Sequence, residues 1–435
     1  MAYARDLSTV IMCHPSRRAG AERILDECRP LAARIVEDPE PDGVPSPLRT
    51  AKVAWAAVAD GASHHLVVQD DVHLRPGFAE HVHTLLERHP GCAVSLGVLW
   101  VSPYNSYRVR QAAIGGYPAV RLAPWEWVPS LGLALPADTA RELADFLRGF
   151  PDVTRDDDEH IAVFCAERGI PVIAPVPHLL DHSTRPSVAG NDHHGVRLAV
   201  ACVDEPVGTG YWTGPTLDDG VLASGLGYAV ELTGSRCHLR IRRSGEREAA
   251  EQPFTWPWRP WSQLVGVAED EITRAAIAAA AAEEPTAEPD SLAAENPPAG
   301  LPATLAAEVW AAGYLLGALS PAVAPEPDPA HQLVRDAAAR QALRSWITAG
   351  LGPDDQATLG DRGHAAATNW CHRAVAAGAA RTTGAVSADR TTPAAPAART
   401  TGAASADRTT AGAPAAGTSA TAPAADMTAT VPVSR

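Results

Sequence analysis

Two adjacent carboxylates follow the most apolar part of the segment from His64 to His73. The run Leu66-Val67-Val68 is typical of a buried strand in an α/β sheet, and Asp70 and Asp71 come directly after the next residue. A buried strand carries neighbouring acids only where it ends, and open α/β sheets bind their ligands at the carboxyl ends of strands. Carboxylates at that edge favour Mg²⁺ or Mn²⁺ shared with phosphate. The structural alternative is a strand followed by an acidic helix cap.

A second group of acids, Asp156, Asp157 and Asp158, lies in the segment from Thr154 to Gly169. Apolar residues recur at helical spacing after these acids, and the glycine ends the pattern. The acids therefore fall at a helix N-terminus, where the helix dipole favours negative charge. A carboxylate held there can accept a proton from a hydroxyl within hydrogen-bond reach. The structural alternative is an N-cap with more acids than it needs.

A basic turn follows the first predicted strand, which runs from Ser8 to Cys13. His14 opens this turn, and Arg17 and Arg18 close it. Guanidinium groups form charged hydrogen bonds with phosphate, so the turn is well placed for a nucleotide diphosphate. The structural alternative is a pair of solvated arginines at the start of a helix.

The elements that must position these residues alternate along the chain. Apolar runs and helical patterns predict the order β-α-β-α-β from Ser8 to Gln69, which favours a mainly parallel sheet with helices on both faces. Cys92 to Trp100 is predicted as a further strand. We expect Ser102 to Tyr117, with its proline and glycines, to be a mobile active-site loop. Asp138 is predicted to cap the helix that follows the strand ending at Pro136.

Composition excludes several classes of protein. The chain has 435 residues and a formal net charge of −15, which argues against a general nucleic-acid binder or a protein of anionic membrane surfaces. Its seven cysteines form no C-x-x-C pair, which favours reduced thiols over a disulfide framework or a zinc ribbon. No apolar run reaches the roughly 18 residues of a spanning helix. We therefore expect a soluble cytoplasmic protein without a transmembrane segment.

The C-terminal half carries weaker signals. They predict a small β hairpin, a tryptophan-rich loop that packs a segment or forms a sugar platform, three helices and a disordered tail. Two near-copies of an 18-residue polar unit, 381–398 and 399–416, begin that tail, and they cannot bury a core. The predicted units are a catalytic α/β domain, a β-containing segment, a helix with linker, a helical bundle and the tail, at 1–200, 201–270, 271–302, 303–380 and 381–435.

The acidic strand end, the basic turn and the acidic helix start occur in an order that resembles nucleotide-sugar glycosyltransferases of the GT-A fold. The closest likeness is to small bacterial enzymes of surface-polysaccharide synthesis, whose strand ends in Glu-Asp-Asp. Here the triplet begins with Gln69, so an amide replaces the first acid. A late Pro-x-Leu-x-x-His element, ending at His182, is a fourth point of similarity. The likeness covers about residues 7 to 195 and implies a Rossmann-like GT-A sheet.

The resemblance implies roles for these residues. A nucleotide-sugar donor and a glycan or other hydroxyl acceptor would be the substrates, with Mn²⁺ or Mg²⁺ as cofactor. Asp157 and Asp158 match the acidic pair of inverting enzymes, and Asp158 matches the base. Asp71, Asp70 and His182 would hold the metal ion, and the donor would be bound by the following set: His14, Arg17, Arg18, Gln69 and Asp70.

Two alternatives remain open on the sequence. Gln69 in place of an acid favours a catalytically silent adaptor that binds a protein partner through the C-terminal helices. A nucleotidyltransferase shares the sheet and the acidic strand end, but it normally has a glycine-rich loop after the first strand, and the turn from His14 to Arg18 has no glycine. The donor nucleotide, the sugar, the acceptor and the stereochemical outcome are not indicated.

Overall fold

A central sheet of eight strands organises the computed structural model, which describes residues 7–152, 157–188, 190, 197–218, 227–242, 256–282, 300–321 and 329–389. Two further strand pairs lie outside this sheet among the described residues. The strands are β1 (Leu7–Cys13), β2 (Ala33–Glu37), β3 (His64–Gln69), β4 (Val72–Leu74), β5 (Ala93–Ser95), β6 (Ala119–Arg121), β7 (Gly132–Pro136), β8 (Val172–Pro175), β9 (Leu180–His182), β10 (Thr216–Leu217), β11 (Gly227–Thr233) and β12 (Arg236–Arg242).

Helices cover the sheet and form most of the described C-terminal residues from 227 to 389. Those of the described residues are α1 (Arg18–Glu27), α2 (Pro47–Ala56), α3 (Phe78–Arg88), α4 (Pro103–Gly115), α5 (Ala137–Arg148), α6 (Asp158–Glu167), α7 (Trp258–Trp261), α8 (Glu269–Ala281), α9 (Ala303–Leu319), α10 (Gln332–Gly350) and α11 (Pro353–Asp389).

The strand order is β10-β6-β8-β5-β7-β3-β1-β2, and the sheet is mixed but mostly parallel. β1 pairs in parallel with both β2 and β3, and β5 pairs in parallel with β8. β7 runs antiparallel between β3 and β5, and β6 runs antiparallel to β8. This confirms the predicted α/β class with a large, mostly parallel sheet and flanking helices.

The central strands are apolar on both faces because helices cover both sides of the sheet. Successive side chains of β1 point in opposite directions, so Val10 and Met12 belong to one buried cluster while Ile11 and Cys13 belong to another. β1 is buried along its whole length. A near-continuous apolar run is therefore the pattern that a strand in this position requires.

The segment from Ser102 to Tyr117 is a buried helix, and the prediction of a mobile loop there was wrong. The residues that suggested a loop stand at the helix ends: Pro103 begins α4, and Gly116 follows it with the positive φ of 71° common after a helix. The side chain that satisfies the first N–H groups of α4 comes from Glu126, more than twenty positions along the chain. Local sequence signals cannot indicate such a cap.

Two other predicted features differ in detail. The strand predicted from Cys92 to Trp100 is limited to β5, and the chain continues from it without strand pairing apart from a bridge at Leu99. Asp138 does not cap α5: Pro136 occupies the N-cap position, and Asp138 lies in the first turn, where it forms an ion pair with Arg141 at 2.9 Å.

The C-terminal elements share one apolar core. β11 and β12 form the predicted antiparallel hairpin, which packs on α9 and α10. Trp310, Trp346 and Trp370, one from each of α9, α10 and α11, are buried in this core. Trp258 is also buried in it, which favours packing over a sugar platform for the tryptophan-rich segment.

α10 also contacts the central sheet region. Its alanines, among them Ala338 and Ala342, belong to the same buried cluster as the strand residues Val10 and Val67. α11 continues to Asp389, past Arg381, where the tail was predicted to begin. The Arg381 guanidinium donates to the Gly266 carbonyl oxygen at 2.7 Å.

Some predicted features lie outside the described residues. They are Asp156, the linker residues 283–299 and the tail from residue 390 onward. Within the described ranges, no helix combines the length and apolar character needed to cross a bilayer.

Candidate functional site

One cavity of about 610 Å³ opens beside the carboxyl ends of β1 and β3, and it collects most of the predicted site residues. Its walls include the turn after β1, the end of β3, the segment between β2 and α2, the segment before β7, the start of α6 and the segment after β9. The predicted residues that line it are His14, Arg17, Gln69, Asp70, Asp71, Asp157, Asp158 and His182.

The short strand pair of β4 and β9 brings Asp71 to His182. The chain turns immediately after Gln69 and enters β4, whose first residue, Val72, pairs with His182. The Ser183 N–H donates to the Asp71 carbonyl oxygen at 2.7 Å and extends this pairing by one residue. The His182 Nε2 therefore lies 3.6 Å from an Asp71 carboxylate oxygen, Oδ2.

Arg17 bridges three parts of the cavity wall. It ends a one-turn 3-10 helix that begins at Pro15, directly after β1. Its Nη1 lies 2.5 Å from Asp71 Oδ2 and 3.4 Å from Asp70 Oδ1, while its Nη2 donates to the Pro186 carbonyl oxygen. Burial lowers the guanidinium pKa, but the Asp71 carboxylate and then Asp70 outweigh this, so the pKa of Arg17 is raised. Arg17 thus neutralises part of the charge of the two acids.

Asp70 has a different environment from Asp71. Its Oδ2 accepts the backbone N–H of His14 at 2.8 Å, which joins the ends of β1 and β3. Burial, with a contribution from the neighbouring Asp71 charge, raises the pKa of Asp70 to about 6. Asp70 therefore holds a proton more readily than an exposed aspartate does.

The tautomer of His182 follows from its partners. Nδ1 lies 2.5 Å from the Ser183 carbonyl oxygen, which can only accept a hydrogen bond, so Nδ1 carries the proton. Burial lowers the pKa of His182 despite the nearby Asp71 charge, so the ring is neutral at pH 7. The lone pair of Nε2 then faces the Asp71 carboxylate. Two electron-rich atoms this close suit a cation that lies near both.

The donor set fits a divalent metal ion that also binds phosphate. Asp71 Oδ1 is buried and has no hydrogen-bond partner among the described residues, which leaves a ligand atom available. No group of three or more His, Cys, Asp or Glu side chains in the described part of the chain is arranged to hold a metal ion. Mg²⁺, however, uses one or two carboxylates and takes its remaining ligands from water and phosphate. Asp71 and Asp70 would supply those carboxylates, and His182 adds an imidazole nitrogen 3.6 Å from Asp71 Oδ2.

The acids that begin α6 lie on the same cavity. Asp158 is the first residue of the helix and accepts the Glu159 N–H at 2.8 Å through Oδ1, while Asp157, which precedes it, is buried. The backbone of Asp158 accepts the Val128 N–H at 3.3 Å, which attaches α6 to the segment that carries Trp127. The helix dipole stabilises the ionised form of both acids.

The side chains of Gln69 and Arg18, predicted to bind the donor, contact other protein groups. The Gln69 side-chain amide donates to the Ser130 hydroxyl at 3.1 Å, so it holds a wall segment of the cavity. Arg18 is half exposed and lies outside the cavity lining, and its guanidinium contacts Glu22 at 3.0 Å and Glu37 at 2.5 Å. The structure therefore separates the two arginines that the sequence treated alike.

Sequence reasoning missed several residues that line the cavity. Asp38 and Arg49 form a buried ion pair in its wall, with Nε–Oδ1 and Nη2–Oδ2 distances of 2.7 and 2.8 Å. Asp38 follows β2 directly, which is the same signal of an acid at a strand end that identified Asp70. Trp127, in the aromatic segment before β7, also lines the cavity, as does Arg197, which no local pattern distinguishes.

The chain matches no protein-family model. A search of curated proteins likewise found no match.

Proposed function

We propose that the chain is a metal-assisted glycosyltransferase that moves a sugar from a nucleotide-diphosphate donor to an acceptor hydroxyl. The observation that carries the proposal is that two separate pairs of aspartates line one cavity. Asp70 and Asp71 lie at the end of β3, and Asp157 and Asp158 lie at the start of α6. Transfer of this kind needs a site for a metal-bound diphosphate and a separate base for the acceptor.

The donor side of the cavity is the β3 end with the turn after β1. Asp71 and His182, assisted by Asp70, would hold Mn²⁺ or Mg²⁺ together with diphosphate oxygens. The bound ion supplies Lewis-acid stabilisation of the charge on the departing nucleotide. Arg17 lies within the same wall and supplies a guanidinium group suited to phosphate. His14 fixes the β1 turn through its N–H bond to Asp70.

The acceptor side is the start of α6. Asp158 would take the proton of the acceptor hydroxyl as its oxygen attacks the anomeric carbon, and Asp158 Oδ1 already accepts one N–H bond that fixes the carboxylate. Asp157 is buried beside it and is the alternative base if the helix start shifts in the complex.

The direct test is a turnover screen. Purified full-length protein is incubated with UDP-, GDP- and TDP-sugars and Mn²⁺, with and without a panel of simple glycoside acceptors, and release of the nucleoside diphosphate is measured. We expect release from one nucleotide class, an increase with an accepted glycoside, and loss on chelation. No release from any donor under any of these conditions would contradict the proposal.

A catalytically silent adaptor is the second candidate, and a specific observation favours it. Arg17 already pairs with both strand-end acids, and no three-ligand metal cluster is present among the described residues. An adaptor would bind a protein partner through α9, α10 and α11. The same screen separates the two, because an adaptor gives no release of nucleotide from any sugar donor.

A further inference from the structure

Arg17 occupies one oxygen of each strand-end acid, Asp70 Oδ1 and Asp71 Oδ2, and the second of these is the oxygen that faces His182. Asp71 Oδ2 lies 2.5 Å from Arg17 Nη1 and 3.6 Å from His182 Nε2. Any cation that uses both Asp71 Oδ2 and His182 would lie in contact with the guanidinium. Two positive groups cannot share one carboxylate oxygen at such distances without strong repulsion.

The Arg17 guanidinium has an alternative type of partner, a phosphate group in the cavity. The guanidinium is on the wall of the open cavity, and this planar group presents several N–H donors that suit the charged oxygens of phosphate. Its Nη2 bond to the Pro186 carbonyl oxygen is to a neutral group, so one charged acceptor can replace it.

We propose that Arg17 is an internal counter-ion that a divalent cation displaces from Asp70 and Asp71, after which its guanidinium binds the diphosphate of the donor. The second part, in which the Arg17 guanidinium binds the diphosphate, rests on the proposed function. Arg17 keeps the two acids neutralised before the ion enters. It also links metal binding to nucleotide binding, because both ligands favour the position of the guanidinium away from the two acids. The affinity of the Asp70–Asp71 site for the cation therefore stays low until a diphosphate is present to bind the displaced guanidinium.

The proposal predicts opposite effects of one substitution on two ligands. Arg17→Gln removes the competing charge, so Mn²⁺ alone should bind roughly tenfold more tightly or better, as expected when a charged hydrogen-bonded competitor is lost. In saturating Mn²⁺, UDP, GDP or TDP should bind the same variant more weakly than the unmodified protein. A residue that merely supports the fold would weaken both.

Arg18→Gln is the matched control. It removes the same charge from the adjacent position, but the Arg18 guanidinium lies outside the cavity and contacts Glu22 and Glu37. Mn²⁺ affinity should be unchanged in this variant, which excludes a general effect of net charge. Arg17→Lys, which keeps one positive charge without the forked donor, should give an intermediate Mn²⁺ affinity and replaces the glutamine variant if that variant does not fold.

Free Mn²⁺ is measured by electron paramagnetic resonance in titrations of the full chain, and nucleotide binding is measured by calorimetry. Tighter Mn²⁺ binding in Arg17→Gln than in both the unmodified protein and Arg18→Gln supports displacement. Equal, weaker or undetectable Mn²⁺ binding in Arg17→Gln overturns it. If Mn²⁺ binds more tightly but no nucleoside diphosphate binds any form, the counter-ion role stands while the second half of the inference and the proposed function fail.

Discussion

At Asp71 the two carboxylate oxygens have different surroundings. Oδ2 contacts Arg17 and faces His182, while Oδ1 is buried without a hydrogen-bond partner in the described residues. A buried carboxylate oxygen without a partner carries a desolvation cost that a ligand can remove. The sequence predicted the position of Asp71 because acids after an apolar run mark a strand end. It did not predict the Arg17 contact, which depends on how the β1 turn lies across β3.

Asp158 is the residue whose role can be tested most cleanly at this scale. Asp158→Asn keeps the size of the side chain and an acceptor for the Glu159 N–H, but the amide cannot take a proton from a hydroxyl. We expect kcat to fall by roughly 10²–10⁴-fold, as for lost general-base catalysis, with donor affinity nearly unchanged. Steady-state kinetics and nucleotide titration of the variant measure the two quantities separately.

Glu159→Gln is the comparison for that experiment. It removes a carboxylate from the same helix turn and from the same cavity lining, but Glu159 is exposed. The loss of kcat should be much smaller than for Asp158→Asn. Equal losses in the two variants would indicate a general charge effect and would contradict the assignment of Asp158 as the base.

Among the elements, α4 shows what sequence patterns cannot reveal. Its proline and glycines suggested a loop, but they stand at its ends, and Glu126 supplies the cap from a distant segment. The side chain of Asn105 then ties α4 back to the same segment, since it accepts the Ala123 N–H at 2.9 Å and donates to the Trp127 carbonyl oxygen at 3.2 Å. These contacts link α4 to the cavity wall that carries Trp127.

The Glu126 cap predicts a pH dependence of stability. Burial raises the pKa of Glu126 from 4.5 to about 7, although bonds from Asn105, Tyr104 and Ser102 oppose the rise. The folded protein therefore binds this proton more tightly than the unfolded chain does. The contribution of Glu126 to the free energy of unfolding is full below about pH 4.5 and is lost as the pH rises through about 7.

Glu126→Gln removes that titration. The free energy of unfolding of both proteins is measured with denaturant at a series of pH values. The value for the unmodified protein minus that for the variant should fall by roughly 2–3 kcal/mol between pH 4.5 and 8. Groups that titrate in both proteins cancel in the difference. A difference that stays constant over this range would show that Glu126 does not change its protonation there.

The packing of α9 on α11 predicts a second effect at this scale. The helix backbones approach so closely at Gly317 that an added Cβ would overlap the Val375 carbonyl group. Gly317→Ala should lower the free energy of unfolding by roughly 1–3 kcal/mol or more, the usual cost of overpacking a core. Gly208→Ala is the control, because nothing lies within 4 Å of its added Cβ. Equal stability of both variants in urea would contradict the packing.

Over the whole molecule, local sequence patterns predicted single helices and strands better than they predicted how these elements pair and pack. Apolar periodicity predicted the hairpin, the three C-terminal helices and the alternating elements from β1 to β3, but it did not predict α4, β4, β6 or β9. The strand order, the antiparallel position of β7 and the contact of α10 with the sheet cluster do not, because they depend on pairs of segments far apart in the chain. The two acidic pairs of the cavity were found from acids at element ends, while the Asp38–Arg49 pair needed the fold.

The end of α11 predicts how the chain tolerates truncation. Residues 390–435 contain few large apolar side chains, so deletion after Asp389 should leave the melting temperature unchanged. Deletion after residue 380 also removes Arg381, which contacts Gly266 and forms an ion pair with Glu271 at 2.6 Å. That shorter protein should be less stable by about 1 kcal/mol. Thermal melts of both truncations check this, and a large loss from the first would show that the tail is docked.

The measurement that tests the central claim most directly is a calorimetric titration of the full-length protein with UDP, GDP and TDP, each with and without Mn²⁺, repeated with Asp71→Asn. The account predicts that at least one nucleotide binds, that binding strengthens with Mn²⁺, and that the asparagine variant loses the Mn²⁺-dependent part while its melting temperature changes little. Nucleotide binding that ignores Mn²⁺ and survives the substitution, or no binding of any nucleotide, would contradict it.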